Sequence, residues 1–135
     1  MRLMNIIKLS LVLTGCLSTQ LAAKDYFVEN KQAFNSISAD LVAGDKVILK
    51  NGTWNDFEIL FSGQGSKAAP ILLTAETKGQ VILSGQSNLR LAGKYLEVSG
   101  LVFKDGYTPS SAVIEFRRNK SELAYHSRVT QIVID

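Results

Sequence analysis

The sequence predicts an all-β chain wound as a parallel β-helix, and three observations predict it. From Asp45 onward, short apolar runs follow one another, separated by Gly, Asn, Ser and Asp, with no room between them for helices of ordinary length. Corresponding positions recur at 24 and 25 residues (Val47, Ile71, Leu96), at 24 (Leu89, Val113) and at 20 (Val81, Leu101), a spacing that suits one turn of two or three strands with glycine at the corners. The runs are also apolar on consecutive residues, as expected when both strand faces are buried or nearly so. An antiparallel sandwich fits less well. The hairpin signals Asn51-Gly52 and Asp105-Gly106 do not sit two residues from a matching strand on both sides.

The first element is an export signal over residues 1–23. Arg2 and Lys8 form a positive leading region, and Ile6, Ile7 and residues 9–13 form an apolar core too short to span a bilayer. Two processing routes fit. Leu21-Ala22-Ala23 offers small residues for cleavage after Ala23, although Leu21 is bulky for its place. Leu13-Thr14-Gly15-Cys16 resembles the bacterial lipobox, in which the signal ends before Cys16 and that residue carries a lipid anchor. Either route predicts a bacterial exported protein, periplasmic, secreted or held on the outer membrane as a lipoprotein. Cys16 is the sole cysteine, so no intrachain disulfide can form.

Residues 24–135 read as one domain. Removing Arg2 and Lys8 from the 15 Lys and Arg leaves 13, against 12 Asp and Glu, a formal charge of +1 that gives no ground for a nucleic-acid partner. Asp25–Val28 reads as a first strand, and Asn30 as the N-cap of a helix over 31–41 that closes the first end of the stack. Phe34, Ile37 and Leu41 share one face of it, and Gly44 stops it. Strands are then expected at 47–49, 57–61, 71–73, 81–83, 89–91, 96–98, 101–103, 113–116 and 129–134, about five turns in all. The last run meets the end of the sequence, so the stack is expected to be incomplete at its C-terminal end.

Four segments, taken in order, carry a family resemblance. They are Asp25-Tyr26-Phe27-Val28; Gly44-Asp45-Lys46-Val47-Ile48-Leu49-Lys50-Asn51-Gly52-Thr53-Trp54; Pro70-Ile71-Leu72-Leu73-Thr74-Ala75-Glu76; and Tyr95-Leu96-Glu97-Val98-Ser99-Gly100-Leu101-Val102-Phe103-Lys104-Asp105-Gly106. Together they resemble the N-terminal part of the family 6 polysaccharide lyases, which include alginate lyases and chondroitinase B type enzymes. The resemblance implies a right-handed parallel β-helix, an acidic polysaccharide substrate, foremost alginate, and cleavage by β-elimination. In that chemistry Ca²⁺ and basic side chains neutralise the uronate carboxylate, a lysine takes the C5 proton, and an arginine assists protonation of the leaving 4-oxygen. No position here matches the family's lysine, arginine or Asn and Glu calcium ligands. Catalytic residues and Ca²⁺ ligands are therefore expected beyond Asp135, and the 135-residue chain is expected to be inactive. A dermatan sulfate lyase and a non-catalytic polysaccharide-binding β-helix are the alternatives.

Within the chain, Asp56 and Glu58 are two apart, which in a strand would place both carboxylates on one face for a hard cation; a solvated turn edge explains them too. Lys104, Arg117, Arg118, Lys120 and Arg128 enrich the second half in positive charge, as a groove for a polyanion would require. Pairing with Asp105, Glu115 and Glu122 is the competing account, and in a strand only one of Arg117 and Arg118 would face the groove. His126 has no neighbouring acid or thiol to orient it as a base, which favours a loop or packing role. Trp54 and Tyr107 could stack on a sugar or cover strand ends. The stretch Ser62-Gly63-Gln64-Gly65-Ser66 lacks the lysine and helix of a phosphate loop and reads as a flexible corner. Asn51-Gly52-Thr53 and Asn119-Lys120-Ser121 fit the glycosylation pattern, which in a bacterial export product is chance.

Overall fold

The computed structural model describes residues 22–135, so Arg2, Lys8, Cys16 and the bulk of the expected export signal lie outside the described residues. Among the described residues the chain enters as strand β1 (Asp25–Val28), makes a single helix α1 (Lys31–Ile37), and then winds in coils of three strands. The first full coil is β2 (Lys46–Leu49), β3 (Gly52–Asn55) and β4 (Glu58–Gln64); the second is β5 (Ile71–Ala75), β6 (Val81–Gln86) and β7 (Asn88–Lys94). The third is β8 (Leu96–Ser99), β9 (Leu101–Tyr107) and the two short strands β10 (Ile114–Glu115) and β11 (Ala124–Tyr125); β12 (Arg128–Thr130) and β13 (Val133–Ile134) begin another. The strands stack into three sheets, in the orders β1-β2-β5-β8-β12 and β3-β6-β9-β13, with β4, β10 and β11 all on β7. Every pairing between these strands is parallel, so the fold is a parallel β-helix and the sandwich is excluded.

The core lies inside the coil. Val47, Leu49, Ile71, Leu73, Leu96 and Val98 pile up from the first sheet, Val81, Leu83 and Leu101 from the second, and Ile59, Phe61, Leu89 and Leu91 from the third, each no more than 1% exposed. Apolar area removed from water drives the winding, because no single coil encloses its own side chains. Burial alternates along each strand, with Leu72 and Thr74 half-buried between buried Ile71, Leu73 and Ala75. Only the inner face is sealed, and the outward residues need merely be tolerant of partial exposure. The sequence expectation that both faces are buried is corrected here.

Register corrects two of the expected repeats. Leu96 lies over Ile71 and Leu101 over Val81, as expected, but Val47 pairs with Leu73 and Leu89 with Ile114. The first difference is two residues and keeps every side chain on its face. The second is one residue, which for a period of two reverses the assignment.

The corners are made by left-handed residues, and glycine is not always chosen. Gly100 (φ 82°) and Gln131 (φ 54°) follow the paired residues Ser99 and Thr130 and turn the chain from the first sheet to the second. Tyr95 (φ 51°) and His126 (φ 49°) do the same between the third sheet and the first. A left-handed residue swings the chain by roughly the angle between two sheets, and a non-glycine there costs about 1–2 kcal/mol. Gln131 divides the expected strand 129–134 into β12 and β13.

Helix α1 begins where expected, with the Asn30 carboxamide accepting from the Ala33 amide at 2.8 Å. It ends at Ile37, not Leu41. Ser36 and Ser38 donate side-chain hydrogen bonds to the carbonyls of Ala33 and Asn35, the competition that makes serine a poor helix former. Gly44 (φ 88°) instead turns the chain into β2. There the buried Asp45 carboxylate accepts the amides of Lys24 and Val42, both at 2.9 Å, tying the start of the described chain to the first coil. Phe34 covers that end of the core, edge-on to Phe57 with ring centroids 5.4 Å apart.

Candidate functional site

The third coil leaves the stack between β10 and β11. β10 pairs with Leu89 and Arg90, β11 with Gly93 and Lys94, and residues 116–123 between them fold outward as a small antiparallel hairpin. The Arg118 amide donates to Glu122 O at 2.8 Å and the Ala124 amide to Phe116 O at 2.9 Å. At the tip, the Asn119 side-chain oxygen accepts from the amides of Ser121 (2.8 Å) and Glu122 (2.9 Å), which explains an asparagine there without glycosylation. Arg90 lies beneath and donates to Arg118 O at 3.4 Å.

The hairpin and the outer face of the third sheet bound a groove of about 420 Å³. Its floor is small, with Ser62, Gly63, Ala92 and Gly93 on adjacent strands. Gly93 cannot carry a Cβ, which would meet the Gly63 carbonyl. One rim is the outward column Gln64, Lys94, Tyr125, paired rung to rung; the other holds Arg118 and Glu122. A second trough, about 460 Å³, runs along the outer face of the first sheet between Lys46, Glu76, Glu97 and Arg128.

Four of the five cations singled out in the sequence are in ion pairs. Arg117 meets Glu115 at 3.2 Å, Arg118 meets Glu122 at 3.4 Å, Arg128 meets Glu97 at 3.0 Å, and Lys104 meets Asp135 at 3.7 Å. Lys120 alone of the five makes none among the described residues. Pairing is therefore the right account for most of them, though Asp105 is not a partner. Arg117 and Arg118 sit in the hairpin, not in a continuous strand, so the alternation expected of them does not apply. The Arg117 guanidinium, followed by the Ser111 hydroxyl, holds the Glu115 carboxyl below the ordinary value of 4.5.

The other candidates separate. Asp56 (φ 53°) is a corner residue whose carboxylate accepts the Gln86 amide at 2.8 Å, while Glu58 opens β4, so the two do not share a strand face. Among the described residues no three His, Cys, Asp or Glu side chains converge, and Ca²⁺ takes about six to eight oxygens, so these residues do not fit it. His126 stacks on Tyr95 with centroids 4.9 Å apart, the packing role expected for it. Trp54 is buried and stacked on Phe57, whereas Tyr107 is 64% exposed and takes a hydrogen bond from Gln86. Ser62, Gly63 and Gln64 complete β4, and the Gly65 amide donates to Lys94 O at 2.9 Å, so the expected flexible corner is regular, hydrogen-bonded structure. The groove itself was not foreseen. Residue order carried no signal for it, because the 31-residue offset that sets Lys94 beside Tyr125 is fixed only by strand register.

Comparison with known proteins matches this architecture. The chondroitinase B family profile covers residues 28–135. A solved family 6 alginate lyase, AlyGC, is 58% identical with a TM-score of 0.80, over 82% of this chain and 15% of that one. A family 6 polysaccharide lyase from Pseudopedobacter saltans is 35% identical (TM-score 0.71; 81% and 24% covered). A mannuronic acid specific family 6 lyase from human gut microbiota is 31% identical (TM-score 0.74; 83% and 26% covered). This chain thus spans about a quarter or less of the length of each. A comparison with curated proteins returned no match. The parallel coils, their register and a match over most of the described residues place the chain in the chondroitinase B family, the family 6 polysaccharide lyases.

Proposed function

We propose that the protein to which these coils belong is an exported lyase that cleaves alginate, a polymer containing mannuronate, by calcium-assisted β-elimination. The observation that carries this reading is the 58% identity to a family 6 alginate lyase across 82% of the chain. The mannuronic acid specificity of the 31% identical lyase points the same way. In this reading residues 24–135 supply the first coils of the scaffold. The base, the arginine and the Ca²⁺ ligands belong to coils beyond Asp135, and the 135 residues alone have no activity. Export rests on Arg2, Lys8 and the apolar core after them, with release after Ala23 or lipid anchoring at Cys16. No helix among the described residues is long and apolar enough to cross a membrane.

The test is product analysis of the intact gene product with alginate and with dermatan sulfate, following the ultraviolet absorbance of the new C4–C5 double bond, with and without a calcium chelator. Chelator-sensitive unsaturated products from alginate are expected. Cleavage of dermatan sulfate instead would favour the glycosaminoglycan lyase, a reading that the name of the matching family keeps in view. Cleavage of neither, with retention of the polymers, would leave a non-catalytic polysaccharide binder.

A further inference from the structure

The hairpin of residues 116–123 stands off the core, on which only Ala124, the β11 residue that follows it, is packed. Phe116 and Leu123 at its base are 45% and 40% exposed, and its tip is polar. Ordered loops that leave a regular stack without adding to its packing are where such scaffolds place recognition. Beneath it, the small side chains of Ser62 and Ala92, on paired positions of adjacent strands, make a low floor on which a flat ring could approach the backbone. The volume of about 420 Å³ is in the range of small-ligand sites.

Charge then selects the ligand. Lys94 makes no ion pair among the described residues, and Arg118 shares its charge with Glu122 in a pair whose two side chains are 53% and 50% exposed. Such a pair contributes little to stability, so an incoming carboxylate can compete for the guanidinium. Two cations against one carboxylate leave the groove positive. By contrast, the first-sheet trough balances Lys46 and Arg128 against Glu76 and Glu97, and Arg128 is already held at 3.0 Å. One rung from Lys94, Tyr125 is 53% exposed and offers an aromatic face, which a sugar ring can cover with its C–H groups.

We propose that this groove binds a uronate residue of an acidic polysaccharide, with Lys94 and Arg118 toward its carboxylate and Tyr125 against its ring. The proposal rests on the acidic-polysaccharide reading above and adds a residue-level site within these coils.

The test is affinity electrophoresis of the intact gene product through gels containing alginate or a neutral glucan, at low and high salt, with turnover of alginate measured alongside. Lys94→Gln and Tyr125→Ala should each weaken retardation by alginate about three- to fivefold, Lys94→Arg should retain it, and high salt should reduce it. None should be retarded by the neutral glucan. Thermal melting identifies any variant that fails to fold; for that case Gln64→Glu, which adds a like charge on the same rim, should weaken retardation too. Wild-type retardation in folded Lys94→Gln, Tyr125→Ala and Gln64→Glu variants would overturn the proposal, as would equal retardation by neutral glucan. A protein retained through Lys94 that releases no unsaturated product would keep this site and overturn the lyase reading. A lyase indifferent to all these changes would do the reverse.

Discussion

Gly93 and Gly79 are both left-handed, at φ 121° and 82°, yet they differ in what surrounds them. A Cβ on Gly93 would run into the Gly63 carbonyl of the coil below, while one on Gly79 meets nothing within 4 Å. Gly79→Ala should therefore cost only backbone strain, about 1 kcal/mol. Gly93→Ala adds a clash with rigid backbone and should cost about 3 kcal/mol or more, seen as a much larger fall in Tm. Glu115 yields a second expectation. Its carboxyl is held below 4.5 by Arg117 and Ser111, so its folded value is lower than its unfolded one. A group depressed in this way stabilises the fold above its unfolded value, and the contribution is lost as pH falls through the folded one. Melting curves from neutral pH down through the carboxylate range should show the stability gap between wild type and Glu115→Gln present above about pH 4.5 and closing below it. A gap unchanged with pH would show that the contact with Arg117 does not stabilise the fold.

The capping helix and the outward hairpin differ in how far the sequence foretells them. Asn30, followed by Phe34 and Ile37 at helical spacing, announces α1 because N-capping and burial of one face act within a single turn. Its end is less visible, since Ser36 and Ser38 decide it by bonding backward to the backbone. Asn30→Ala should cost about 1 kcal/mol, and Phe34→Ala, at 1% exposure over the first coil, about 3–5 kcal/mol. Chemical denaturation of both variants checks the order. Equal losses would show that the helix does not seal the core. The hairpin had no comparable signal: its defining bonds, Arg118 to Glu122 and Ala124 to Phe116, have meaning only once β10 and β11 have found opposite ends of β7.

At one end of the described stack α1 and Phe34 cover the core, and at the other β12 and β13 are the last described strands, with Val133 52% and Ile134 59% exposed. Unpaired edges beside apolar side chains are templates for association. Expressed as these 135 residues, the chain should form oligomers or precipitate, as sedimentation velocity would show. A monodisperse monomer that melts cooperatively would contradict this. The coil repeat and the inward apolar columns could both be read from residue order, because each depends on local spacing and on the unconditional tendency of aliphatic side chains to leave water. Residue order could not pair Lys94 with Tyr125, set Asp56 apart from Glu58, or join Arg128 to Glu97 across 31 positions. Those outcomes depend on register, and register is chosen by the stack as a whole: a slip of one residue would turn every aliphatic column outward. Folding against that cost brings distant polar residues into one groove.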